Sequence, residues 1–300
     1  MKTSVPVSRL GVWILAVRPR TLPAAAAPVF VGSGLAVHHG RFALLPALAA
    51  LVGALLIQIA TNLANDYYDF VRGADTSERV GPVRVTQAGL LTPRAVHRGM
   101  VAALLAALLV GVYLVWIGGW PIVVIGLASL AAAVGYTAGP FPLAYHGLGD
   151  LFVFAFFGPV ATAGTYHVQA LSFSGEAVLA GAGVGALSTA ILVVNNLRDR
   201  ATDERAGKRT LAVRMGAGAT RLQYLLLLAT GAAVPPLGVA LFGWPPATLS
   251  ASLALGLASV PARRVLAHRD PRELLPALGE TARVLAVYGL MLGSALALTR

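Results

Sequence analysis

Two short stretches of this sequence carry oxygen ligands at helical spacing. The first reads Asn62-x-x-x-Asp66-x-x-Asp69 and the second Asn195-x-x-x-Asp199-x-x-x-Asp203. Intervals of three and four put such side chains on one face of a helix. The chain has only 12 Asp and Glu residues, and seven of them fall in two groups: Asp66, Asp69, Asp75 and Glu78, then Asp199, Asp203 and Glu204. Stacked carboxylates repel one another, so something positive must offset them. Oxygen donors of this kind suit a hard cation, and Mg²⁺ is the usual choice where phosphate is also present. Two facing clusters can hold Mg²⁺ against one diphosphate. Two plainer uses compete with this one. The acids can pair with neighbouring arginines such as Arg198, Arg200 and Arg205. They can also line the path of a transported divalent cation, although transporters usually keep their acids near the bilayer midplane.

The segments after the clusters are polar and cationic. One contains Gly81-Pro82-Val83-Arg84-Val85-Thr86-Gln87, the other Gly207-Lys208-Arg209-Thr210. Lysine or arginine beside a metal-bound diphosphate would neutralise a departing leaving group; the bland alternative is a headgroup anchor. A third segment, from Tyr136 to Asp150, has no Lys or Arg and is rich in Pro, Gly and aromatic residues. Tyr136 is the candidate for facing a carbocation by cation–π attraction, against the alternative of an interfacial tyrosine. His146 and His167 are candidate bases or substrate contacts, each with a packing role as the alternative.

The elements that position these residues follow from composition. The chain has 300 residues, 57% of them hydrophobic and 12% charged, with a mean hydropathy of +0.75. Soluble domains carry about 25% charged residues, so a soluble enzyme, a disordered chain and a nucleic-acid binder are excluded. No cysteine is present, which removes disulfides and thiolate metal sites. Asp, Glu, Lys and Arg are absent from 21–40, 42–65, 99–149, 151–175, 177–197, 222–262 and 284–299. A membrane helix needs about 20 apolar residues. The stretches 99–149 and 222–262 are each long enough for two crossings, divided at Gly118-Gly119-Trp120-Pro121 and Gly243-Trp244-Pro245-Pro246. The pattern predicts an all-α membrane protein with nine transmembrane helices. Leu10 to Val17, followed by Arg18-Pro19-Arg20, reads as an amphipathic approach helix and not as a cleaved signal.

Nine crossings place every one of the 23 Lys and Arg residues except Arg41 and Arg300 on one side. By the positive-inside rule that side is cytoplasmic, so the N-terminus is cytoplasmic and the C-terminus outside. The same bias accounts for the net charge of +11 without nucleic acid. Both Asp clusters fall on the cytoplasmic side.

Asn65 to Asp75, taken with Asn195 to Asp203, resembles the UbiA superfamily of intramembrane aromatic prenyltransferases. Within it the likeness is greatest to the branch that prenylates 1,4-dihydroxy-2-naphthoate in menaquinone biosynthesis. Four stretches carry that narrower likeness: Arg18 to Leu22, Gly73 to Arg84, Tyr136 to Gly149, and Gly207 to Arg214. It extends from about Trp13 to Gly216 and fades beyond. The next acid after Asp69 is Asp75, a wider spacing than in 4-hydroxybenzoate-type relatives; Asp75 either binds metal or pairs with Arg79.

The resemblance implies a UbiA-like helical bundle, with residues 1–300 forming a single prenyltransferase domain and Asp-rich motifs at 62–75 and 195–203. It implies Mg²⁺ on Asp66, Asp69, Asp199 and Asp203, helped by Asn62 and Asn195. Arg72, Arg84, Lys208 and Arg209 would take further negative charge, and Tyr136 would stand beside an allylic cation. The substrates implied are a polyprenyl diphosphate and an aromatic acceptor. Dihydroxynaphthoate is the first choice, with 4-hydroxybenzoate, homogentisate or haem as alternatives. The expected setting is the bilayer of a bacterial inner membrane, with the active site facing the cytoplasm.

Overall fold

The computed structural model describes residues 8–73 and 80–298. Asp75, Glu78 and Arg79 lie outside the described residues, as do Lys2 and Arg300. In chain order the helices are α1 (Arg9–Val17), α2 (Leu22–His38), α3 (Leu44–Val71), α4 (Pro93–Gly118), α5 (Trp120–Gly135), α6 (Gly149–Phe156), α7 (Pro159–Ala170), α8 (Gly175–Arg205), α9 (Leu211–Phe242), α10 (Ser250–Leu253), α11 (Ser259–Ala267) and α12 (Leu275–Leu298), with no strand among the described residues.

Seven helical stretches among the described residues are long and apolar enough to cross a membrane. α5 is apolar but has 16 residues. The eighth expected helix is not a regular one. Residues 246–267 form a series of short pieces: the 3-10 turn Pro246–Leu249, α10, the 3-10 turn Ala254–Ala258 and α11. Pro245, Pro246 and Pro261 lack the N–H groups a continuous helix would use. The single helix expected over 151–175 is likewise two, α6 and α7, divided at Gly158-Pro159. The approach helix is present as α1. It buries Val12 and Ala16 against Leu63, Val96 and Met100, and leaves Leu10, Ile14 and Leu15 exposed. Trp116 and Trp120, at the α4–α5 turn, are 82% and 76% exposed, as suits tryptophans at a bilayer boundary.

Helix length positions the acids. α3 has 28 residues and α8 has 31, so they run about 42 and 46 Å at 1.5 Å per residue. That exceeds the roughly 30 Å hydrocarbon layer. The excess carries Asp66 and Asp69 at the end of α3, and Asp199 and Asp203 at the end of α8. Each helix stops at a glycine with positive φ, Gly73 and Gly207, the usual way to end a helix and turn the chain.

Tight backbone approaches hold the bundle. A Cβ on Gly34 in α2 would run into the carbonyl oxygen of Gly293 in α12, and one on Gly158 would lie 2.6 Å from the carbonyl oxygen of Gly181 in α8. Close packing through small residues replaces a hydrophobic drive between helices in lipid. At the end opposite the acids, His39 meets Tyr166 Oη at 2.7 Å and Glu176 at 3.1 Å, and the indole N–H of the buried Trp244 donates to Glu176 at 2.8 Å. This network fastens the α2–α3 turn, α7, the start of α8 and the end of α9.

Gly34→Ala is expected to cost about 1–3 kcal/mol through overpacking, read as a lower melting temperature in detergent. Gly218→Ala, where a Cβ meets nothing within 4 Å, is the matched control and should melt as wild type.

Candidate functional site

Asp66 and Asp69 are almost fully buried, at 1% and 3% exposure, and Asp199 is at 5%. Each is held by several donors. The backbone N–H groups of Val85 and Thr86 both donate to Asp66 at 3.1 Å, which folds the segment after α3 back onto the helix. The Arg18 guanidinium approaches Asp66 to 3.9 Å. Asp69 accepts from Arg84 at 3.1 Å and from the Tyr145 hydroxyl at 3.0 Å. Asp199 pairs with its neighbour Arg198 through two short bonds of 2.7 and 2.6 Å, and Arg198 also donates to Asn195 Oδ1 at 2.7 Å.

Lys208 joins the clusters. Its ammonium lies 4.0 Å from Asp69 and 4.0 Å from Asp203, so the ends of α3 and α8 share one cation. Tyr145 supplies the floor beneath: the Lys208 ammonium and the Arg72 guanidinium stand 5.4 and 5.1 Å from its ring centroid. The backbone N–H of Arg209 donates to the Tyr145 carbonyl at 3.1 Å, tying the segment after α8 to the one after α5. Arg72 also donates to the Gly139 carbonyl at 2.6 Å.

Tyr136 ends α5 and connects this charged region to an apolar one. It lines a cavity of about 360 Å³ between α2, α3, α4, α5, α6 and α7, whose wall includes Gly53, Thr61, Gly111, Phe152 and Phe156. Burial pushes the Tyr136 hydroxyl well above the ordinary tyrosine range, and the carboxylates of Asp150, Asp69 and Asp203 push it the same way. The ring is therefore neutral. Gly149 gives it room, since a Cβ there would come within 2.8 Å of the hydroxyl.

The structure thus brings together Asp66, Asp69, Asp203, Arg72, Arg84, Lys208 and Tyr136. It uses other expected residues differently. Asn62 lies on the predicted face, but its amide donates to Val17 O at 2.8 Å and Thr21 Oγ1 at 2.9 Å, while its oxygen accepts from Gln58. With these bonds it fastens the α1–α2 corner to α3. The corresponding asparagine of the second cluster, Asn195, accepts from Arg198 as described. Arg209 is exposed and enters through its backbone. His146 stacks on Phe141 at 3.6 Å, and His167 bonds to Gly118 O at 2.9 Å and stacks on Phe173; both have packing roles. The structure adds Arg18 and Tyr145 to the acids of α3, and it pairs Arg198 with Asp199, the plainer use the sequence offered for that acid. Arg18 and Tyr145 belong to stretches that carried the resemblance, but spacing along one chain gives no sign that they meet α3.

Among the described residues no three Asp, Glu or His side chains form a ready metal cage. The donor set still fits Mg²⁺. This ion commonly takes one or two carboxylates and completes its shell with phosphate oxygens and water, and the donors here are carboxylate oxygens beside a cationic rim.

Comparison with known proteins agrees with this architecture. The model of the UbiA prenyltransferase family matches residues 25–287, so the chain belongs to that family, and the likeness continues past Gly216 into α12. The chain is 41% identical over 285 residues to the 1,4-dihydroxy-2-naphthoate octaprenyltransferase of Mycobacterium tuberculosis, covering 95% of this chain and 96% of that one. It is 36% identical to the Escherichia coli protein of the same name, covering 94% and 93%. Among solved structures, a UbiA homolog from Aeropyrum pernix aligns with a TM-score of 0.68 at 15% identity, over 91% of this chain and 96% of that one. A homolog from Archaeoglobus fulgidus bound to GPP and Mg²⁺ aligns with a TM-score of 0.65 at 16% identity, over 94% and 99%.

Two outcomes follow. Lys208→Met, which removes the shared cation, should lower kcat/KM for prenyl transfer on the order of 10²-fold, and Lys208→Arg should recover part of it. Because burial raises the Tyr136 hydroxyl above the ordinary tyrosine value, Tyr136→Phe should leave the shape of the pH–rate profile unchanged up to about pH 9, below that value; loss of an alkaline limb there would contradict this.

Proposed function

We propose that this protein transfers a polyprenyl group from polyprenyl diphosphate to 1,4-dihydroxy-2-naphthoate, releasing diphosphate and CO₂ and giving a demethylmenaquinol. One observation supports the chemistry above all: Lys208 lies within 4.0 Å of Asp69 and of Asp203, beside an apolar cavity that ends at Tyr136. The acceptor is supported by the names of the relatives at 41% and 36% identity.

In this reading Asp66, Asp69, Asp199 and Asp203 hold Mg²⁺, which when bound polarises the diphosphate oxygens and stabilises the leaving group. Arg84, Lys208 and Arg72 take the remaining negative charge. The apolar lining from Gly53 to Phe156 receives the prenyl tail and keeps water from the reacting carbon. The C1–O bond of the prenyl diphosphate breaks, and the neutral ring of Tyr136 faces the developing allylic cation. The electron-rich carbon of the acceptor that bears the carboxylate forms the new bond to C1. Its bond to the carboxylate then breaks, CO₂ leaves, and the electron pair returns to the ring. The full topology proposed is one domain with nine crossings, α5 and 246–267 supplying the two short ones, and the site end in the cytoplasm, where the Lys and Arg residues gather.

The test is a membrane assay with labelled prenyl diphosphate, Mg²⁺, and either dihydroxynaphthoate or 4-hydroxybenzoate. The expected result is a decarboxylated lipid product with dihydroxynaphthoate alone, abolished by EDTA. Product with 4-hydroxybenzoate alone would discard the acceptor and keep the family chemistry. Gly111 lines the cavity, and a Cβ there meets nothing within 4 Å. Gly111→Leu should therefore slow transfer of long prenyl chains more than of geranyl, measured as the ratio of kcat/KM values.

A further inference from the structure

We propose that the groove between the turn Pro19–Thr21 and the first turns of α12 binds the phosphate of an anionic lipid. A cavity of about 480 Å³ lies there, lined by Arg20 and Arg283 and by the apolar side chains of Pro23, Leu275, Ala282 and Ala286. The one carboxylate in its wall, Glu280, is engaged by Arg264 at 3.1 Å. Among the described residues neither Arg20 nor Arg283 has an Asp or Glu within 4 Å. Both side chains are exposed.

Chemistry selects the ligand. Two guanidinium forks beside one cavity match phosphate oxygens bidentately. Basic pockets between membrane helices recognise lipid phosphates. The apolar remainder of the wall gives an acyl chain a surface to lie on, which a free phosphate would not use.

The location gives the ligand a consequence. Arg20 is two residues from Arg18, whose guanidinium is 3.9 Å from Asp66. Thr21, the next residue, is bonded to Gln58 and Asn62 of α3. A headgroup held on Arg20 and Arg283 therefore braces the turn that presents Arg18 to the first acidic cluster.

The experiment is native mass spectrometry of the detergent-purified protein with added phosphatidylglycerol, phosphatidylcholine or inorganic phosphate. Wild type should retain phosphatidylglycerol over phosphatidylcholine. The Arg20→Gln/Arg283→Gln variant should bind phosphatidylglycerol on the order of 30-fold more weakly, with phosphatidylcholine unchanged. Its melting temperature and basal prenyl transfer in neutral detergent should match wild type, and Arg283→Gln alone should move binding in the same direction. Equal retention of phosphatidylglycerol by variant and wild type overturns the proposal. So does retention of inorganic phosphate with no preference between the two lipids, which would make the ligand a soluble anion.

Discussion

Carboxylates buried to within a few per cent of complete exclusion from solvent, at the end of an apolar helix bundle, set the constraint that the rest of this structure answers. Asp66, Asp69 and Asp199 stand where water cannot solvate them, and a buried charge without a partner costs several kcal/mol. The fold satisfies them with backbone N–H groups, arginines and one shared lysine. That requirement explains why the segments after α3, α5 and α8 converge. The first contributes Arg84 and the amides of Val85 and Thr86, the second Tyr145, and the third Lys208.

In the proposed reaction the charged end and the apolar cavity are two halves of one chemistry. A diphosphate needs cations and hard oxygen-bound metal. A prenyl chain needs an apolar slot. An allylic cation needs an electron-rich surface that cannot itself be alkylated by way of an ionised oxygen. Tyr136 stands at the junction and is kept neutral by its burial and by the surrounding acids. The opposite end of the bundle is fastened by His39, Glu176 and Trp244, which hold the helices in register.

Much of this was legible in the sequence because the signals are local. Apolar runs, the Gly-Trp-Pro turns, the approach helix and the face shared by Asp66 and Asp69 depend only on residues near one another. What was not legible depends on tertiary approach. The spacing of Asn62 placed it on the right face of α3, yet Thr21 and Val17 arrive there first from the α1–α2 corner. The pairing of Arg198 with Asp199 is the plainer use the sequence offered for that acid, but the burial of Arg198 to 2% exposure depends on how the helices pack. Hydropathy makes the part of 222–262 beyond Pro246 a continuous span because it measures composition, while the prolines decide whether the backbone can remain helical.

The central claim is that the acids of α3 and α8 act on one diphosphate. Mn²⁺ binding read by electron paramagnetic resonance, in the presence of a non-reactive prenyl thiodiphosphate, tests it most directly. Asp69→Asn and Asp199→Asn should each reduce the Mn²⁺ bound with the analogue, since both helices contribute to the same assembly. Undiminished binding in either variant, in protein that melts as wild type, would mean that its helix stands apart from the metal–diphosphate site.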